Sequence, residues 1–199
     1  MEAVIRRSFA ESIRAKEQFL AEHEANLAKV ARLIADTINQ GHKVFLFGNG
    51  GSAADAQHIA AEFTNRFMIE RRPLPAIALT TDTSAITAIG NDYSFDEIFS
   101  KQIEALGQAG DVAIAISTSG GSKNVLRAID ACGKVGLFVV GMTGGDGGAM
   151  RDQVDFLLNV SATREVPRIQ ECHILASHVL CDLVDRQLFP AEYDKGGHA

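Results

Sequence analysis

The chain has 199 residues, 46% of them apolar, with only four prolines and a formal net charge of −6, the profile of one globular domain large enough to bury a core. The acidic balance excludes nucleic acid as the main partner, because gripping a phosphate backbone takes a basic surface. Cys132, Cys172 and Cys181 are odd in number and widely spaced, so reduced thiols in a cytoplasmic protein are expected rather than disulfides or a zinc–thiolate centre.

The first eighteen residues are charged throughout, with no apolar stretch like a signal peptide. Across residues 1–40 the apolar positions Ile5, Phe9, Ile13, Leu20, Leu27, Val30, Ile34 and Ile38 fall at helical spacing, which predicts one or two long helices stopped by Gly41. A helix of that length ahead of the first strand cannot cover its own apolar face, so it should pack on the domain or on another subunit. Residues 43–47 then read as a strand, followed by a glycine-rich turn and a helix to about Phe67. Residues 76–79 are a second strand, with a polar turn and a short helical stretch ending at Asn91 and Asp92. Residues 112–116 are a third, followed by a Ser/Thr/Gly loop and a helix to about Lys134. Residues 137–140 are a fourth, leading into Thr143-Gly144-Gly145-Asp146-Gly147-Gly148, and 156–160 are a fifth. A long helix over 168–189 and a polar tail over 190–199 close the chain. The longest apolar run, 135–142, is too short to cross a bilayer, so no membrane partner is expected.

Short, nearly all-apolar strands alternating with helices predict a single α/β domain built on a doubly wound, five-stranded parallel sheet covered on both faces. Strands one to four each end in Gly, Ser, Thr, Asn or Asp. In open α/β sheets that edge is where ligands sit. Four polar loops converging there predict a pocket of hydroxyls and backbone N–H groups suited to phosphate and sugar.

Two loops carry the anion signal. Gly48-Asn49-Gly50-Gly51-Ser52-Ala53 fits the loose G-x-G-x-x-A dinucleotide pattern, but Thr80 and Thr81 stand where the ribose-binding acid should end the second strand. No Gly-Lys-Ser/Thr follows either, so no nucleotide is expected. A tight turn of this kind at a helix start leans towards an anion or a sugar. Ser117-Thr118-Ser119-Gly120-Gly121-Ser122 is the stronger cradle: hydroxyls, a glycine pair and a helix N-terminus can all donate to phosphate oxygens, although a Ser N-cap in a polar turn would look similar.

His58 and Glu62 share one face of the helix after the glycine-rich turn, at the i,i+4 spacing of a metal-ligand pair or of any solvated pair. The helix around them is otherwise apolar and alanine-rich, so the two need partners. Gln170 and His178, two turns apart on the last helix, can supply them. His173 lies on a different side and reads as structural or interfacial, whereas His23, His42 and His198 read as solvated.

With these residues in place, the chain resembles the phosphoheptose isomerases of the sugar isomerase (SIS) superfamily. The resemblance runs from the N-terminal helices to Leu188, over GNGGSAADAQHIAAEF, LTTDTSAITAIGNDY, STSGGS, TGGDGG and RIQECHILASH in that order. It implies one SIS domain over 1–199 with a flavodoxin-like parallel sheet, residues 1–40 at an oligomer interface, and a homotetramer whose active sites are shared between subunits. It implies conversion of sedoheptulose 7-phosphate to D-glycero-D-manno-heptose 7-phosphate, on the route to the heptose of bacterial lipopolysaccharide. Position by position, it implies Ser117, Thr118, Ser119 and Ser122 as the phosphate cradle. Asn49, Gly50, Gly51, Asn91, Asp92 and Gln170 would contact the sugar, and Glu62 and His178 would be the acid/base pair. Some members bind zinc, which implies His58, Glu62, Gln170 and His178 as ligands and leaves open whether Glu62 ligates, abstracts a proton or does both. The superfamily also holds replication-initiator-associating and sugar-phosphate-sensing proteins, and residues 181–190 resemble the end of the former. A binding protein has no need of all four of those side chains, and all four are present.

Overall fold

Five apolar runs become five parallel strands in a computed structural model that describes residues 1–195: β1 (Val44–Gly48), β2 (Ala76–Ala78), β3 (Val112–Ile116), β4 (Phe138–Gly144) and β5 (Phe156–Val160). Their order across the sheet is β2-β1-β3-β4-β5. The helices are α1 (Glu2–Asn39), α2 (Gly51–Thr64), α3 (Thr83–Asp92), α4 (Ser100–Leu106), α5 (Lys123–Val135), α6 (Val166–Leu188) and α7 (Pro190–Lys195). The doubly wound parallel α/β fold expected from the sequence is therefore the fold observed.

Both sheet faces are apolar because both are covered. Val44 and Leu46 of β1 point into a core shared with α1, α2 and α6, through Ile34, Ile59 and Val184 among others. Phe45 and Phe47, at the alternate positions, point into a second core with Phe99 and Ile103 of the α4 segment and Val125 and Ile129 of α5. This period-two split of an unbroken hydrophobic run is what a buried parallel strand requires.

The strand order places the site. The chain leaves β1 for β2 on one side and later returns to β3 on the other, so the sheet's switch point lies between β1 and β3. Gly48 and Ile116 are register partners at the ends of these strands, so Asn49 and Ser117 leave the sheet side by side.

Several sequence expectations need correction. The fourth strand runs on to Gly144 rather than stopping at residue 140. Gly141 continues it because Met150 Sδ and Val154 Cγ1 would lie 2.9 and 3.0 Å from a side chain there; the glycine makes room for them and does not break the strand. His23 is not solvated: it is buried on α1, with Nε2 2.9 Å from the Asn159 carbonyl of β5. His42 is half-buried, with Nδ1 3.4 Å from the buried Asp111 carboxylate. His198 lies outside the described residues. The start of the polar tail is the short helix α7, whose Tyr193 hydroxyl donates to Asp182 of α6. Among the described residues no helix is long and apolar enough to cross a membrane.

Candidate active site

Residues 117–122 join β3 to α5 and present hydroxyls around a tight turn. Ser117 is buried and its Oγ donates to Ser122 Oγ at 3.1 Å, while the Gly121 N–H donates to Ser119 Oγ at 3.3 Å. Ser122 occupies the N-cap position of α5, yet its side chain does not cap the helix. In the first turn of α5 the Val125 N–H donates to Asn124 Oδ1 at 2.9 Å, and the helix dipole favours an anion at this end. Gly120 sits at φ +61°, and a Cβ on it would strike the Gly147 carbonyl. Its own carbonyl accepts from the Met150 N–H at 3.0 Å. The glycine-rich segment after β4 is thus the backing of this loop, a role the sequence reading did not assign.

Thr118, Ser117 and Ser122 line a cleft of about 280 Å³ together with Asn49, Gly50, Gly51 and Gln170. Thr118 also lines an adjoining hollow of about 210 Å³, with Ser119, Asp146 and Arg164. At the cleft's other wall the glycine-rich turn is shaped by two constraints. The Gln170 side-chain amide from α6 lies where a Cβ of Gly51 would be. The side-chain amides of Asn49 and Asn124 exchange two hydrogen bonds of 2.8 Å each.

The second cluster joins α2 to α6. His58 Nε2 and His178 Nε2 are 2.8 Å apart, so one ring N–H donates to the other ring nitrogen. Glu62 Oε1 lies 3.5 Å from His58 Nε2. Phe67 stacks on the His178 ring, 5.5 Å between centroids. Asp55, one turn before His58, has a buried Oδ2 without a hydrogen-bond partner. Burial raises its carboxyl above the usual range, against the opposing pull of His58 and His178. The structure thus gathers His58, Glu62 and His178, and it gathers Asn49, Gly50, Gly51, Ser117, Thr118, Ser122 and Gln170. Ser119 faces the adjoining hollow. It does not bring Asn91 and Asp92 to the cleft: both are exposed at the end of α3, and the Asn91 amide donates to Asp92 Oδ1.

The two imidazoles and the carboxylate gathered here are donor types that suit zinc, whereas the Gln170 amide lies against Gly51. The 2.8 Å between the ring nitrogens is a hydrogen-bond distance, about 0.5 Å shorter than two nitrogens on one tetrahedral zinc would keep. Among the described residues, no three His, Cys, Asp or Glu side chains are arranged to hold an ion by themselves. The donor chemistry therefore fits a metal, and the two rings would have to part slightly to admit it.

Sequence reasoning missed Asn124, Asp55 and Phe67. Asp55 had a signal, since it stands one helical turn from His58. Asn124 had a fainter one, as the polar residue on the buried face of α5. Phe67 had none, because its stacking on His178 depends on how α2 and α6 pack.

The SIS domain family matches residues 8–144. The phosphoheptose isomerase of Thermodesulfovibrio yellowstonii is 50% identical over 189 residues, covering 95% of this chain and 94% of the relative. Two solved structures superpose closely. Phosphoheptose isomerase GmhA from Neisseria gonorrhoeae has a TM-score of 0.87 at 47% identity, over 92% of this chain and 98% of that one. A phosphoheptose isomerase from Francisella tularensis has a TM-score of 0.89 at 40% identity, over 92% and 97% respectively.

Proposed function

We propose that this chain, which belongs to the SIS-domain family and within it to the phosphoheptose isomerases, converts sedoheptulose 7-phosphate to D-glycero-D-manno-heptose 7-phosphate in making bacterial heptose. The observation that carries the reading is the contact of His58 with His178 beside Glu62, on two helices that also border the phosphate-type loop.

The residues divide the work by chemistry. The hydroxyls and free N–H groups of 117–122 hold the phosphate at one end of the sugar. Asn49, Gly50, Gly51 and Gln170 line the path of the carbon chain. At the other end, Glu62 takes the proton from C1 of the ketose, giving a cis-enediol intermediate. His178 moves a proton between the two oxygens, so that O2 gains one as O1 gives one up. Glu62 then returns its proton to C2. A carboxylate suits the carbon-bound proton, and an imidazole, which can accept a proton at one nitrogen and donate one from it, suits the oxygens. When bound by His58, Glu62, Gln170 and His178, zinc supplies Lewis acidity towards the substrate oxygens.

The protein acts in the cytoplasm as a homotetramer with shared sites. Two observations support the assembly. Val4, Ile5, Phe9, Ile13 and Leu20 leave an apolar strip of α1 exposed. Asn91 and Asp92 stand outside the cleft of the single chain.

Incubating the purified protein with sedoheptulose 7-phosphate and following aldose formation, with and without a chelator, tests the reading. Glu62→Gln should lower kcat about 100- to 10,000-fold while substrate still binds. Absence of wild-type turnover in both conditions would favour a sugar-phosphate-binding protein instead.

A further inference from the structure

One buried ion pair connects the two helices that carry the acid/base residues. Arg71 lies in the loop after α2, and Asp185 lies two turns beyond His178 on the same face of α6. Their side chains are 1% and 0% exposed, and Arg71 Nε donates to Asp185 Oδ1 at 2.9 Å. The rest of the guanidinium is spent on the end of α2. Nη2 donates to the Glu62 carbonyl at 2.8 Å, and Nη1 to the carbonyls of Phe63 and Asn65, each at 2.8 Å, and of Arg72 at 3.2 Å.

The last turn of α2 contains no basic residue of its own, and helix ends leave carbonyls in need of donors. A Gly C-cap or solvent would meet that need. Here the donor is a planar, five-donor cation that is itself fixed to α6. Cys181 lies between His178 and Asp185, and its thiol is pushed up to about 12, first by burial and then by the Asp185 and Glu62 charges. The Glu62 end of α2, Arg71 and the His178 stretch of α6 thus meet in one buried contact.

We infer that Arg71 and Asp185 are positioning residues for the isomerisation: by bonding the backbone of Glu62 and its neighbours to α6, they set the distance between the Glu62 carboxylate and the His178 ring. A buried ion pair is a poor device for stability alone, since apolar side chains of similar volume often do as well. Five directed bonds from one guanidinium, one to the Asp185 carboxylate, one to the Glu62 carbonyl and three to the carbonyls of Phe63, Asn65 and Arg72, are a device for geometry. None of the hydrogen bonds made by Arg71 and Asp185 reaches the loop at 117–122, so substrate capture should not depend on the pair.

This inference rests on the isomerase reading, and its test separates the two. Arg71→Lys keeps the charge but cannot bond four carbonyls and a carboxylate together. Asp185→Asn keeps an acceptor for Nε without the charge. In folded protein, checked by circular dichroism, both should lower kcat tenfold or more with KM for sedoheptulose 7-phosphate within twofold. A double variant, Arg71→Met with Asp185→Leu, should regain melting temperature relative to Arg71→Met alone without regaining kcat. Normal kcat in folded Arg71→Lys, or recovery of kcat along with melting temperature in the double variant, overturns the positioning role and leaves the isomerase reading intact. An inactive wild type overturns both together.

Discussion

His173 shows how a residue type that suggests chemistry can serve packing alone. It sits on α6 five residues before His178 and is 1% exposed, with its Nε2–H donated to the Thr143 carbonyl at 2.9 Å. Its Nδ1 is buried without a partner, which a neutral imidazole tolerates and an imidazolium does not. Burial accordingly lowers its pKa from 6.5 to about 4. The sign of the consequence follows from proton counts. Above pH 6.5 neither folded nor unfolded chain binds the proton. Between 6.5 and about 4 only the unfolded chain does, so stability falls as pH falls through that window, by roughly 3 kcal/mol at its lower end. His173→Gln keeps an N–H donor for Thr143 without a titrating ring. Urea unfolding at several pH values should show wild type losing that much more than the variant between pH 6.5 and 4, on top of a fixed packing cost. Parallel profiles would assign the acid sensitivity elsewhere.

At the scale of elements, the loop after β3 and the glycine-rich segment after β4 act as one unit. Gly120 and Gly147 are in close approach, and the Met150 N–H bonds the Gly120 carbonyl. That interlock holds the backbone, leaving the hydroxyls to face the clefts. Thr118 lines both hollows, so Thr118→Val, which removes a hydroxyl at nearly constant shape, tests the cradle directly. KM for the phosphosugar should rise about tenfold with kcat little changed, as expected when a charge-assisted bond to bound phosphate is lost equally in ground and transition states. An unchanged KM would move the phosphate to another loop. The same unit shows what was legible in the sequence. Hydroxyls, glycine pairs and apolar strands have local signatures, so the sheet, its ligand edge and the loop at 117–122 could all be read. Gly141 and the segment after β4 could not be read correctly, because what makes them glycine is a neighbour reached only in the fold. His23 was misread for the same reason. It sits between Glu22 and Glu24, which suggest solvent, while its partner is a carbonyl of β5.

At the scale of the whole molecule, α1 is the element that a single chain does not explain. At 38 residues it is about 57 Å long, more than one small domain can cover. Its C-terminal half is buried through Leu27, Val30, Ala31, Ile34 and Ile38, but Phe9 is 69% exposed and Ile13 is 55% exposed. Where α1 crosses α6, Phe19, Leu20, Leu175 and Val179 line an apolar hollow of about 320 Å³. Exposed apolar side chains at helical spacing along one face need a partner surface, and the proposed tetramer supplies another copy. Phe9→Glu with Ile13→Glu should cost a lone chain little, because neither residue is buried in it. In the assembly the same changes would bury two carboxylates in an apolar contact. Light scattering after size exclusion should therefore show a smaller assembly for the double variant. Activity should fall with it, and more steeply on dilution, if each site draws on a neighbouring subunit. A variant that keeps the wild-type mass would free this strip from the interface. One that loses mass but keeps full activity would show that the cleft between β1 and β3 and the His58–Glu62–His178 cluster suffice within a single chain.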